Sequence, residues 1–107
     1  MQRHGQLIRV QPERLEEYKR YHAAVWPEVL ATIRDCNIRN YSIFYKDGLL
    51  FAYFEYVGQD FAADMGKMAA DPKTQEWWSV MQPMQEPLET RAPGEWWAEM
   101  EGVFHTA

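Results

Sequence analysis

The order of strand and helix signals along the chain predicts an α+β fold of the ferredoxin-like, or split βαβ, kind. An antiparallel sheet carries its helices on one face and meets a second copy on the other, giving a dimeric α/β barrel. Three observations lead there. The segments read strand, helix, strand, strand, helix, strand. Asp47-Gly48, between two runs rich in aromatic and β-branched residues, marks a tight hairpin. Aromatic residues fall on both parities of residues 41–56, which suits a sheet buried on both faces and hence a homodimer.

The elements follow in order. Residues Gln6–Val10 alternate weakly and form a first strand. Pro12 suits the first turn of a helix, and Glu13, Glu16 and Glu17 favour its positive end. Through Arg34, Leu15, Tyr18, His22, Val25, Trp26, Val29, Leu30 and Ile33 recur at three- and four-residue steps along one helical face. Pro27 interrupts that face, so a break is expected at Ala24–Trp26 with a restart at Pro27. Strands follow over Asn40–Tyr45 and Leu49–Val57. Phe61–Ala70 reads as a short helix, and Asp71-Pro72 caps and opens another through Met81. Prolines 83, 87 and 93 with Gly94 make 82–95 a long loop without regular structure, and Trp96–His105 reads as the last strand. No linker or repeat divides the chain, which is one domain over residues 1–107.

Composition narrows the function. The longest apolar runs are far below the roughly 20 residues that cross a bilayer, and the first five residues have no apolar signal core. The single Cys36 makes no internal disulfide and fits a reducing, cytoplasmic setting. A net charge of −5 argues against nucleic acid as the main partner, because phosphate binding needs a basic surface. Five tryptophans, six tyrosines and five phenylalanines point instead to a neutral ligand or to a bulky core and interface.

Chemistry centres on His22. It lies four residues after Tyr18, so both side chains project from one helical face. Imidazole gives or takes a proton near neutral pH, and a phenol beside it orients it or bonds a substrate hydroxyl. The same pair also serves packing alone, so chemistry needs a converging signal. No histidine or cysteine spacing suits a metal, and no glycine-rich loop suits a phosphate. Cys36 reads as a packing residue, and the methionines 65, 68, 81, 84 and 100 as core filler. In Trp77-Trp78 the side chains point about 100° apart on a helix, so one packs inward while the other lines a cleft. A flat indole suits the C–H-rich face of a sugar, or simply a dimer contact. Trp96-Trp97 reads as core plus interface.

Five motifs then converge. Glu17-Tyr18-x-x-x-His22-x-x-x-Trp26-Pro27-Glu28, Asn40-Tyr41-Ser42-Ile43, Leu49-Leu50-Phe51, Trp77-Trp78-x-x-Met81 and Glu101-x-Val103-Phe104-His105 together resemble the L-rhamnose mutarotase family, over about Leu7 to His105. The resemblance implies a homodimeric, cofactor-free isomerase that interconverts the α and β anomers of L-rhamnose. It implies His22 as the proton donor, and Tyr18, Tyr41, Trp77 and Trp78 as substrate-binding residues. Two other readings compete on the same fold: a monooxygenase or haem-binding protein with His22 as ligand, and a non-catalytic ligand-binding dimer.

Overall fold

The computed structural model describes residues 1–107. Five strands form one antiparallel sheet: β1 (Gln2–Val10), β2 (Ile38–Lys46), β3 (Leu49–Tyr56), β4 (Gln85–Glu86) and β5 (Ala98–Met100). The four helices are α1 (Leu15–His22), α2 (Pro27–Asp35), α3 (Phe61–Ala70) and α4 (Pro72–Met81). The strand order is β2-β3-β1-β4, with β5 also on β1. Because β3 occupies one edge of β1 over Gln2–Arg9, β4 (opposite Arg9 and Val10) and β5 (opposite Gly5–Leu7) share its other edge. Together they are the fourth strand of the split βαβ arrangement, cut in two by residues 87–97.

Sheet register decides which side chains meet the helices. Ile8 lies opposite Leu50, and Leu50, Ala52, Phe54 and Tyr56 are buried while their alternating neighbours are half-buried. This buried face meets the helices in two clusters. Ile8, Val10 and Leu50 pack with Tyr18, Val29, Trp77 and Met81 from α1, α2 and α4. Ile38, Phe54 and Tyr56 pack with Phe61, Met65 and Met68 from α3. Helices therefore lie on one face, as the element order implies. On the opposite face Phe44 is 66% exposed.

Local chemistry accounts for the boundaries. Pro27 forces Trp26 into an extended conformation (φ −58°, ψ 131°), so α1 ends at His22 and α2 starts afresh. Asn37, at φ 66°, reverses the chain after α2. Asp47 and Gly48 both take positive φ, 53° and 81°, as a two-residue hairpin of the strands' own twist requires. The Asp71 carboxylate accepts from both the amide and the hydroxyl of Thr74 at 2.9 Å, opening α4 and setting the phase that buries Trp77.

Three expectations need correction. β1 begins at Gln2 rather than Gln6, because pairing with β3 as far as Tyr56 carries the polar Gln2–Gly5 segment into the sheet. The stretch 82–95 is not without regular structure: Gln82–Met84 is a 3-10 turn, and β4 pairs with β1. Pro83 and Pro87 flank these residues and leave the backbone of Gln85 and Glu86 available for pairing. The last strand covers only Ala98–Met100; beyond it Val103 and Phe104 are 90% and 86% exposed, with nothing in the single chain to pack against.

A small network anchors α3. The Tyr56 hydroxyl donates to Asp64 at 2.5 Å and accepts from the Asp60 amide, while the Asn37 side chain donates to the same Asp64 oxygen. Gly58 sits against it: a Cβ there would lie 2.6 Å from Tyr56 Cζ and 2.7 Å from Asp64 Oδ2. Gly58→Ala is therefore expected to displace the network and cost about 1–3 kcal/mol, measured by urea unfolding. An unchanged midpoint would show that the network shifts freely.

Candidate functional site

The end of α1 holds the group with most chemical potential. His22 Nδ1 lies 2.8 Å from the carbonyl oxygen of Tyr18. A carbonyl only accepts, so Nδ1 carries the hydrogen and Nε2 presents a lone pair in the neutral ring. Burial lowers the His22 pKa below its ordinary value, against the opposing effect of the carbonyl, so the neutral tautomer dominates at pH 7. The ring is held on two sides: it stacks on Tyr18 with centroids 4.3 Å apart and meets Trp77 edge-on at 5.5 Å. Trp77 in turn contacts Trp26 and Tyr21 at 5.1 and 6.0 Å.

Tyr18 is 4% exposed, and burial raises its pKa far above that of a free phenol. Its hydroxyl oxygen accepts from Gln85 Nε2 at 3.1 Å, and Tyr41 is near enough to push the same pKa further up. Tyr41 arrives through an irregularity in the sheet. Arg39 pairs with Glu55 and Ser42 with Tyr53, so Asn40 and Tyr41 share the span opposite Phe54. Asn40 takes positive φ (51°) and donates to Glu55. This bulge swings the Tyr41 ring onto Phe54 at 5.6 Å, on the helix-bearing face. Tyr41 leaves 41% of its surface open, yet protein around its hydroxyl pushes the phenol pKa up to about 12. Both phenols therefore stay protonated near neutrality and keep an O–H able to donate.

Of the residues singled out from sequence, His22 contacts both Tyr18 and Trp77, and Tyr41 lies near enough to act on the Tyr18 phenol electrostatically. Trp77 is the inward member of its pair, 6% exposed, and Trp78 is half-buried against the first core cluster without a ring contact to His22. Trp96 departs from its expected packing role: its indole donates to Gln85 Oε1 at 2.8 Å, which ties the 87–97 segment to Tyr18. Gln85 itself escaped the sequence reading; a glutamine between two prolines carries no signal of burial. His4 also escaped. It stacks on Phe54 and Phe61 at 4.8 and 4.5 Å, with Glu99 Oε1 2.5 Å from Nδ1. No group of three or more His, Cys, Asp or Glu side chains converges as a metal site would require.

Fold and site together define a class: a ferredoxin-like α+β protein with a neutral histidine packed among aromatic rings and two protonated phenols nearby. Comparison with known proteins gives the family. The model of the L-rhamnose mutarotase family matches residues 3–106. An L-rhamnose mutarotase from Oceanobacillus iheyensis is 31% identical over 98% of both chains. An L-fucose mutarotase from Xanthomonas campestris is 35% identical over 84% of this chain and 74% of its own. Among solved structures, an L-rhamnose mutarotase from Formosa agariphila superposes with a TM-score of 0.79 at 22% identity over the whole of both chains. A type-II polyketide cyclase from Streptomyces glaucescens reaches 0.74 at 16% identity, covering 100% of this chain and 98% of its own, a likeness of fold. The chain belongs to the L-rhamnose mutarotase family.

Proposed function

We propose that this protein interconverts the α and β anomers of L-rhamnose by acid–base opening and closing of the pyranose ring. One observation beside family membership carries the reading: His22 has one nitrogen committed to a backbone carbonyl and the other left as an acceptor, in a ring stacked on Tyr18 and set edge-on to Trp77. Ring opening removes the proton of the anomeric hydroxyl, forms the carbonyl, breaks the bond to the ring oxygen and places a proton there. Rotation of the freed carbonyl and re-closure give the other anomer.

His22 enters this cycle as the acceptor. Its Nε2 takes the hydroxyl proton, and the imidazolium so formed is the acid that can protonate the ring oxygen. The role of donor implied by the family resemblance is thereby the second half of one cycle. Tyr18 and Tyr41 bond sugar hydroxyls, and Trp77 and Trp78 supply the apolar walls. The depressed His22 pKa fixes the sign of the pH dependence. Protonation disables the acceptor, so kcat/KM falls on the acid side, and the limb lies below the ordinary histidine value of about 6.5. A pH–rate profile with its acid limb at or above that value would contradict the assignment.

The L-fucose relative favours a second substrate, since L-fucose and L-rhamnose are both 6-deoxyhexoses. Polarimetry of freshly dissolved single anomers separates the readings: faster equilibration is expected for L-rhamnose, with L-fucose slower. Faster exchange of L-fucose than L-rhamnose would reverse the assignment, and no acceleration of either would overturn it.

We place the enzyme in the cytoplasm as a homodimer. The buried, unpaired Cys36 supports a reducing setting, and no helix is long and apolar enough to cross a membrane. Exposed Phe44, with Val103 and Phe104 beyond β5, supports pairing through the sheet face opposite the helices. Light scattering at twice the chain mass is the expected result, and a monomer at all concentrations would exclude it.

A further inference from the structure

The structure assigns Gln85 as a positioning residue that fixes the direction in which the Tyr18 hydroxyl donates, through a relay anchored by Trp96. This role rests on the mutarotase reading of the site. An indole N–H only donates, so the amide atom of Gln85 facing Trp96 at 2.8 Å is the oxygen. The amide nitrogen then faces Tyr18 and donates to its hydroxyl oxygen at 3.1 Å. With its oxygen engaged as acceptor on that side, Tyr18 directs its own proton elsewhere, and no other group of the protein receives it. That proton is the donor offered to a bound ring.

Burial makes the relay firm. Gln85 is 7% exposed, and no buried side-chain nitrogen or oxygen in the protein is left without a partner. Its backbone is held by pairing with Val10 and by the Gln11 amide donating to the Met84 carbonyl at 2.8 Å. Trp96 reaches Gln85 from the far end of the 87–97 segment, which gives that excursion a function: it carries the group that sets the amide's orientation.

Substitutions separate positioning from packing. Glutamate at position 85 accepts from Trp96 and also from Tyr18, drawing the phenol proton away from the site. Gln85→Glu is expected to lower L-rhamnose exchange about ten-fold, and Gln85→Met by a similar factor, the size of one lost hydrogen bond. The same substitutions in a Tyr18→Phe background are expected to change neither the residual exchange rate nor the affinity for L-rhamnose, read by tryptophan fluorescence titration. Equal losses in both backgrounds, or no loss in either, would overturn the relay. Trp96→Phe frees the amide to turn while leaving the buried glutamine in place, and is expected to give a smaller loss that also vanishes with Phe at position 18. This variant keeps the test decisive if the Gln85 proteins fold poorly. Absence of exchange in the unsubstituted protein would refute the mutarotase reading itself, not the relay.

Discussion

Replacing His22 with alanine is expected to lower L-rhamnose exchange by about 10²–10⁴-fold, the usual contribution of one positioned acid or base. The ring contacts both Tyr18 and Trp77, and its Nε2 is the acceptor proposed for the opening step. The loss should fall on kcat more than on KM, because the hydroxyl bonding and stacking proposed for the tyrosines and tryptophans would remain. His22→Gln, which restores polarity without titration, should rescue little. Near-UV circular dichroism of the tryptophans checks that the fold persists. A folded His22→Ala protein with exchange close to wild type would remove histidine from the chemistry and leave the tyrosines as the proton carriers.

Trp77→Ala carries the largest expected effect on stability. The indole lies at the centre of contacts with Tyr21, His22 and Trp26, and packs with Ile8, Val10 and Leu50 across the sheet. Deleting a buried aromatic of this size costs about 3–5 kcal/mol, because the surrounding rings collapse only partly into the space left. That is a large share of the roughly 5–15 kcal/mol that stabilises an ordinary domain. Urea unfolding should show a sharply lower midpoint. Trp78→Ala should cost much less, since its indole is only half-buried. Similar losses at both positions would mean that the pair shares the core equally and that the helical phase set by Asp71 does not select one indole.

The fold was legible wherever local chemistry decides. Pro27 marks the break that leaves His22 at the end of α1, and Asp47-Gly48 marks the hairpin. Asp71-Pro72 marks the helix that buries Trp77. The four-residue step from Tyr18 to His22 put those side chains on one face, where they stack. The parts that were not legible depend on distant partners. A two-residue strand such as β4 is too short to show a period, and its existence rests on the free edge of β1. The length of β5 depends on what covers Val103 and Phe104, which lies outside the chain's own core. Gln85 and Trp96 join the site through bonds between residues 11 and 67 positions apart. His4 stacks on Phe54 because β1 runs on to Gln2, a pairing that the polar start of the chain does not announce.

The proposed activity is acceleration of L-rhamnose anomer exchange. Saturation-transfer NMR on an equilibrated L-rhamnose solution measures that exchange directly, by irradiating one anomeric proton and following the other. Transfer well above the buffer rate is expected with wild-type protein, and its loss with His22→Ala. Wild-type transfer no greater than in buffer would contradict it.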